Sequence, residues 1–195
     1  AAADKTRLAT CFGPTQGFKP SSHQAEGYGA LSVLRFLILF IQHHQIETMA
    51  PPQGFCDNGS IVDNVEEASS YSEHFANTTL KADWDVINAI VVNRPELMHP
   101  PSLTWIKSHQ DDHKPYEQLS LPAQLNVDAD KLAESYMIHH CDQHRKVSLL
   151  PHSGCILHLP EGTITNKLKR EIVKAKRGPP LLAFLSKKHQ WTPTT

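Results

Sequence analysis

The chain lacks any pair of cysteines in CxxC spacing, because Cys11, Cys56, Cys141 and Cys155 lie far apart in its 195 residues. This spacing argues against a zinc knuckle or a redox centre, and it favours reduced thiols of an intracellular protein. A charge excess of one sign is also lacking, since 19 Lys and Arg residues stand against 20 Asp and Glu residues for a net charge of −1. The overall charge therefore predicts no partner.

A long hydrophobic run is missing as well. The longest apolar stretch, residues 30–41, is interrupted by Ser32 and Arg35, and a bilayer span needs about 20 apolar residues. We predict a buried core helix there, covered on both sides, and no membrane partner. The N-terminus has neither an initiator Met nor the basic start and apolar core of a signal peptide, so we expect the chain to be a fragment of a longer one.

Apolar spacing and helix breakers predict strands and helices that alternate along the chain. The predicted order is a strand over 7–12, a helix from Ser21 or Ser22 to about residue 41 or 43, a strand ending near Asp57, helices capped by Ser60 and Asp83, a strand over 101–109 and a helix over 121–140. Such an order is typical of an α/β layered domain.

The predicted core consists of apolar positions that recur at helical spacing or lie within the predicted strands. They are Leu31, Leu34, Ile38 and Ile41 in the first helix, Trp84, Ile87, Ile90 and Val91 in the third, Leu103, Trp105 or Ile106 in the last strand, and Leu125, Leu132 and Tyr136 with Ala129 in the last helix.

The character of the sequence changes after about residue 146, so we divide the chain into a domain over 1–146 and a basic C-terminal extension over 147–195. In the extension we predict a hairpin turning at Glu161 and Gly162, a basic helix that Gly178 stops, and a short helix that starts at Pro179 and Pro180. Residues 165–190 carry one acid, Glu171, and eight basic residues, a net charge of +7: Lys167, Lys169, Arg170, Lys174, Lys176, Arg177, Lys187 and Lys188. These side chains are candidates for binding a phosphate backbone, and a merely solvated basic face is the alternative.

Four polar residues lie at points where α/β folds place function. Glu26 is early on an apolar helix, Asp57 ends a strand, His109 follows another strand, and Asp130 lies inside a helix. A carboxylate at the carboxyl end of a strand is typical of ligand sites, and one on a core helix is costly unless something compensates its charge. Mg²⁺ would do so, and two such ions can clamp a phosphodiester. Alone, each residue fits an ordinary surface acid, turn or loop.

The segments around these residues occur in a particular order: "SSHQAEGYGALSVLRFL", "CDNGS", "WIKSHQDD" and "LNVDADKLAE". Together they resemble the type 1 ribonuclease H domain, and more narrowly the ribonuclease H-like domains attached to reverse transcriptases of retrotransposons. The resemblance covers roughly residues 7–140, and Asn126 to Ala133 is among its more specific pieces. It implies a three-layer fold with a mixed sheet and an upstream reverse-transcriptase domain.

The resemblance also implies roles for individual residues. Glu26, Asp57 and Asp130 match the metal ligands of the family, and His109 matches its mobile loop histidine, which assists proton transfer and product departure. Asn58 stands where a small polar residue contacts the nucleic-acid backbone. The implied cofactor is Mg²⁺, with Mn²⁺ as a substitute. The implied reaction is two-metal hydrolysis of the RNA strand of an RNA–DNA hybrid, which is recognised through 2′-hydroxyl contacts.

One metal ligand of the family has no counterpart. The family begins with a strand that carries an aspartate, whereas "RLATCFGP" resembles its third strand, so the first two strands are expected to be lacking. We therefore expect this chain alone to be inactive. Asp128 is a nearby competitor of Asp130, but Asn126-x-x-x-Asp130 gives the better register.

Two alternatives stay open. The chain is a nucleic-acid-binding module without catalysis if the missing aspartate is truly lost and the basic extension persists. The second alternative is a protein that binds a transition metal through His109 and His113 or through His139 and His140. Adjacent histidines on a helix point in different directions, so their spacing is poor for a single site.

Overall fold

Five α-helices and two small sheets form the computed structural model, which describes residues 1, 5–15, 21–47, 50–71, 78, 81–140, 150, 157–159 and 162–189. The elements of the described part are α1 (Ser22–His44), β1 (Gln53–Cys56), α2 (Gly59–Ser69), α3 (Trp84–Asn93), β2 (Ser102–Trp105), α4 (Leu121–His140), β3 (Leu157–Leu159), β4 (Gly162–Ile164) and α5 (Leu168–His189). The predicted α/β class is confirmed at this level. The predicted boundary at residue 146 lies outside the described residues.

Helix α1 begins and packs as its sequence predicts. The Ser21 hydroxyl accepts a hydrogen bond from the Gln24 amide at 3.0 Å and so caps the helix. Leu31, Leu34 and Ile38 are buried on one face. The prediction that both sides are covered is wrong for the described residues, because Leu39 on the other side is 65% exposed.

The length and composition of α1 would also suffice to cross a bilayer, although 28% of its most apolar 18-residue window is buried inside the protein. Length and apolar composition do not distinguish a membrane span from a helix in the core of a protein, because both place apolar side chains out of water. The apolar stretch that looked too short in the sequence is part of a longer helix, and one face of that helix packs against α3.

The two strands β1 and β2 pair in parallel, with Cys56 opposite Trp105, so their carboxyl ends lie at the same edge. The Ile106 amide extends the ladder by donating to the Cys56 carbonyl at 3.0 Å. Helix α2 starts directly after this edge. The predicted cap Ser60 is wrong, because the Asn58 side chain accepts from the Ile61 amide and Ser60 already lies in the first turn.

Helix α3 is the most deeply buried element and packs against α1 and α2. Trp84, Ile87 and Ile90 lie in the core as predicted. Close approach to α1 depends on Gly27, where an added Cβ would stand 2.8 Å from a methyl of Val86. Glycine at this position thus brings the two helices together.

Asp83 stands at the predicted capping position of α3 but does not cap with its side chain. Its Oδ2 instead accepts from the Ser21 hydroxyl at 2.9 Å and lies 3.1 Å from Nδ1 of His23. Its amide donates to the Thr165 carbonyl at 2.7 Å, which ties the C-terminal hairpin to the start of α3. The Asp83 carboxylate therefore connects the start of α3 with the start of α1 and does not cap α3.

Residues 7–12 do not form the predicted strand. They lie against α4 instead: the Arg7 guanidinium is 2.8 Å from the Asp128 carboxylate and also donates to the Tyr116 hydroxyl. The ring of Phe12 packs 5.7 Å from that of Tyr136. Side-chain contacts to a helix thus replace backbone pairing to a sheet.

Helix α4 buries a different side from the predicted one. Ala123 and Val127 are its buried residues and pack with Leu119, whereas Leu125, Leu132 and Tyr136 are only partly buried and Ala129 is exposed. The reason is that the first half of α4 rests on the turn before it and on β1. In β2, likewise, Trp105 is 56% exposed, while Leu103 packs against the core.

The predicted hairpin is present as the antiparallel pair β3–β4, although Glu161 of its predicted turn lies outside the described residues. The predicted helix break is wrong: α5 runs through Gly178, Pro179 and Pro180. Proline frees the carbonyl four residues earlier. Because this part of α5 is exposed, water can satisfy those carbonyls, and the helix continues.

Candidate metal centre

Three predicted metal ligands, Glu26, Asp57 and Asp130, come from separate elements and meet beyond the end of β1. Glu26 lies in the second turn of α1, and Asp57 is the first residue after β1, where the chain turns into α2. Asp130 lies in the middle of α4, close enough for the charge of Asp57 to raise its pKa, but it is not one of the ligands whose atoms all lie within 4.8 Å of one another. The charges of Asp57 and Asp130 raise the pKa of Glu26, and the charge of Asp57 raises the pKa of Asp130. The fold therefore brings together residues that are about a hundred positions apart in the sequence.

Cys56 joins this group although no motif in the sequence singled it out. Ligand atoms of Glu26, Cys56 and Asp57 all lie within 4.8 Å of one another. Successive side chains in a strand point to opposite faces, but β1 ends at Cys56 and the chain turns at Asp57. This turn explains how consecutive residues converge on Glu26.

The electrostatics of Glu26 indicate a site that is short of positive charge. Burial raises the pKa of its carboxyl to about 7, and the negative charges of Asp57 and Asp130 add to this rise. A divalent cation would offset this repulsion, and carboxylate oxygens are the ligands that Mg²⁺ prefers. The donor set thus fits the metal that the resemblance implies.

His109 lies close enough to Asp130 to affect the pKa of that carboxyl. Although Asp130 is exposed as a residue, desolvation of its carboxyl raises its pKa, as does the charge of Asp57, while His109 lowers it. His109 is exposed and has a φ of 51°, a left-handed conformation that is costly for a residue with a Cβ. The predicted loop histidine thus stands at the edge of the cluster.

Polar contacts from two other elements hold Asp57. The Asn126 amide lies 3.3 Å from Asp57 Oδ2, and the Trp105 indole N–H donates to the Asp57 carbonyl at 3.0 Å. Asn126 is the first residue of the Asn-x-x-x-Asp motif by which Asp130 was chosen. The motif was therefore the feature of the sequence from which the contact between Asn126 and Asp57 could have been predicted. Asn126 and Asp130 therefore act on the cluster from one face of α4.

Asp128, the competitor of Asp130, is occupied elsewhere. Its carboxylate accepts hydrogen bonds from Arg7 and from the Tyr116 hydroxyl. Asp111 does act on the site, since its charge raises the pKa of Asp130 in addition to the larger effects of desolvation and Asp57. Sequence spacing favoured Asp130 over Asp128, and the assignment of Asp130 as a ligand stays a prediction.

The predicted nucleic-acid contacts do not belong to the metal-ligating group of the described residues. The Asn58 side chain caps α2. The basic residues are exposed near and along α5, namely Lys167, Lys169, Arg170, Lys174, Lys176 and Arg177. A cleft of about 680 Å³ is lined by His23, Ser60 and Lys167, among others. This cleft therefore reaches the starts of α1, α2 and α5, and Glu26, Asp57 and Asp130 are not among its lining residues.

The histidine pairs form no metal-ligating group in the described part of the chain. Nδ1 of His139 faces the Ser135 carbonyl, and Nδ1 of His140 faces the Tyr136 carbonyl. Each of these two ring nitrogens is thus occupied by its own helix. Among the described residues, the group that meets metal-binding geometry is Glu26, Cys56 and Asp57.

Comparisons with protein-family models, with curated proteins and with solved structures give no match for this chain.

Proposed function

We propose that the chain is a ribonuclease H-like nuclease domain of a retroelement, and that its complete form hydrolyses the RNA strand of RNA–DNA hybrids with Mg²⁺ or Mn²⁺. The convergence of Glu26, Asp57 and Asp130 carries the proposal, because three acids from α1, the end of β1 and α4 repel one another unless a cation lies between them. The ordered motifs of the sequence support the same function.

Each residue has a distinct task under this proposal. Two bound ions would supply a hydroxide and stabilise the leaving 3′ oxygen. Glu26 of α1, Asp57 at the end of β1 and Asp130 of α4 would hold these ions. His109, exposed beside Asp130, transfers a proton and lets the product leave.

The nucleic acid is expected to lie along the cleft that Lys167 lines. Its phosphates would contact Lys167 at one end of the cleft and the exposed basic residues of α5. Discrimination for RNA would come from the 2′-hydroxyl groups. An upstream reverse-transcriptase domain is the proposed protein partner.

The 195 residues contain no motif for the strand-borne aspartate that the resemblance implies. We therefore expect this chain to bind a hybrid without cleaving it, and to cleave once upstream sequence supplies that strand. The test is Mg²⁺-dependent cleavage of a hybrid labelled in its RNA strand, by the protein extended with its in-frame upstream sequence.

Asp57→Asn should abolish this cleavage, and Asp63→Asn should retain it, because Asp63 is an exposed acid on α2. Should the extended protein bind the hybrid without cutting it, the nuclease proposal is wrong.

The second candidate is a nucleic-acid-binding module without catalysis, which the exposed basic residues of α5 favour. It predicts hybrid affinity that falls steeply with salt and does not depend on Asp57. Equal affinity and equal salt dependence after removal of α5 would contradict a role of this helix in either candidate.

A further inference from the structure

We propose that Cys56 is a metal ligand of the carboxylate cluster, and that it gives the site an affinity for thiophilic divalent ions such as Zn²⁺ and Cd²⁺. This inference rests on the proposed metal site, but it concerns which ions that site accepts. It names a specificity-determining residue rather than a catalytic one.

The position of the thiol supports this role. Cys56 Sγ lies with a carboxylate oxygen of Glu26 and one of Asp57 in a group whose members are all within 4.8 Å. An ion in the middle of such a triangle would stand at most about 2.8 Å from each ligand atom, so small side-chain rotations bring all three to Zn–S and Zn–O bond lengths of about 2.0–2.3 Å. The three ligands come from α1 and from the end of β1, two elements in direct contact.

The surroundings of the thiol are those of a shielded ligand. Cys56 is 7% exposed, and Sγ has a weak contact of 3.7 Å to the Asn58 carbonyl. Asn58 also caps α2, so the backbone around the thiol is held in place. Cys11, in contrast, is exposed and outside any metal-ligating group of the described residues.

The donor set can discriminate between two classes of ion. Mg²⁺ takes oxygen ligands and would use the carboxylates of Glu26, Asp57 and Asp130. Zn²⁺ and Cd²⁺ prefer thiolate, so they would bind toward Cys56, with the thiol proton released to solvent. Glu26 and Asp57 are shared by both modes. Binding of a thiophilic ion should therefore exclude Mg²⁺.

The test is a titration of the full chain with Cd²⁺, followed by the ultraviolet thiolate-to-cadmium charge-transfer band, and with Zn²⁺, followed by calorimetry. We expect the band in the wild type and in Cys11→Ser. In Cys56→Ala it should disappear, and Zn²⁺ affinity at this site should fall roughly 10-fold or more. Alanine is the first choice because a buried cysteine packs as a small apolar residue.

Cadmium NMR of the wild type gives a second measurement that needs no variant. A chemical shift typical of one sulfur and several oxygen ligands is expected, and a shift typical of oxygen ligands alone would overturn the proposal. An undiminished charge-transfer band in folded Cys56→Ala would overturn it as well.

These outcomes separate the inference from the proposed nuclease function. If the cadmium signal depends on Cys56 and the extended protein cuts no hybrid, the soft-metal site stands and the nuclease is wrong. If Mg²⁺-dependent cleavage is present but Zn²⁺ binds equally to wild type and Cys56→Ala, the nuclease stands and the role of Cys56 is wrong.

Discussion

The part formed by α1, α2, α3, β1 and β2 contains the main hydrophobic core, whereas large apolar side chains in the second half of α5 are in contact with solvent. In α3, Val86 and Ala89 are completely buried, while Leu181 and Phe184 of α5 are 56% and 57% exposed. The first part is thus held by packing. The second half of α5 is largely exposed with respect to the described residues, so its charged surface is the feature that matters for binding.

Removing a core side chain should give the largest effect and the sharpest contrast between the two parts. Ile87→Ala, at a residue 2% exposed, should lower the free energy of unfolding by about 2–5 kcal/mol, since it leaves a cavity. Leu181→Ala in α5 should change it by less than about 0.5 kcal/mol. Urea denaturation measures both. Similar losses of stability for the two variants would show that α5 is packed against a partner surface.

Replacing either of two glycines in α1 by alanine tests the packing of α1 against α3 by adding a methyl group. Gly27→Ala places a methyl 2.8 Å from buried Val86 and should destabilise the protein by about 1–3 kcal/mol. Gly29→Ala meets nothing within 4 Å, so the better helix propensity of alanine should stabilise it by up to about 1 kcal/mol. Thermal unfolding gives both signs. Stabilisation by both variants would contradict the close contact of α1 with α3.

The raised pKa of Glu26 predicts a pH dependence of the stability of the packed part. Between about pH 4.5 and about pH 7 the native state holds a proton on Glu26 that the unfolded state has released. The contribution of this group is therefore full below the window and is lost as the pH rises through it. Urea midpoints across the window should fall in the wild type.

Glu26→Gln should remove that slope, and Glu134→Gln, at an exposed acid of α4, should keep it. Saturating Mg²⁺ should flatten the slope in the wild type, because the metal favours the ionised carboxylate. An unchanged slope in Glu26→Gln would assign the titration to another group.

The smallest effect on stability, and a clear one on binding, is expected for the charges of α5. A triple variant, Lys174→Ala with Lys176→Ala and Arg177→Ala, should unfold like the wild type. It should reduce the slope of log affinity against log salt for a hybrid by about 1 for each phosphate that is no longer neutralised. Fluorescence anisotropy at several salt concentrations measures this slope, with Lys5→Ala as control. An identical slope would show that α5 does not bind the phosphates.

Local sequence signals predicted the packed part well because burial decides its structure. The spacing of Leu31, Leu34 and Ile38, the cap at Ser21 and the strand before Asp57 all follow from short-range rules. Glu26, Asp57 and Asp130 were predicted as site residues from motifs. Their distance from one another in space could not be predicted without the fold.

The other features depend on contacts that no local rule contains. Residues 7–12 have strand-like composition but pair with α4 through Arg7 and Phe12. Cys56 reaches the cluster because the chain turns after β1, which strand alternation does not reveal. Helix α5 passes through two prolines because its exposed surface lets water reach the freed carbonyls.

Asp83 has a consequence for how fast the chain can fold. Its carboxylate joins Ser21 and His23, which are 62 and 60 residues away in the sequence, and its amide joins Thr165. Closing such long loops costs entropy before any contact repays it. We therefore expect the contacts of Asp83 with Ser21, His23 and Thr165 to form late in folding, after the helices. The rate at which they form should limit the rate at which the starts of α1 and α5 pack against α3.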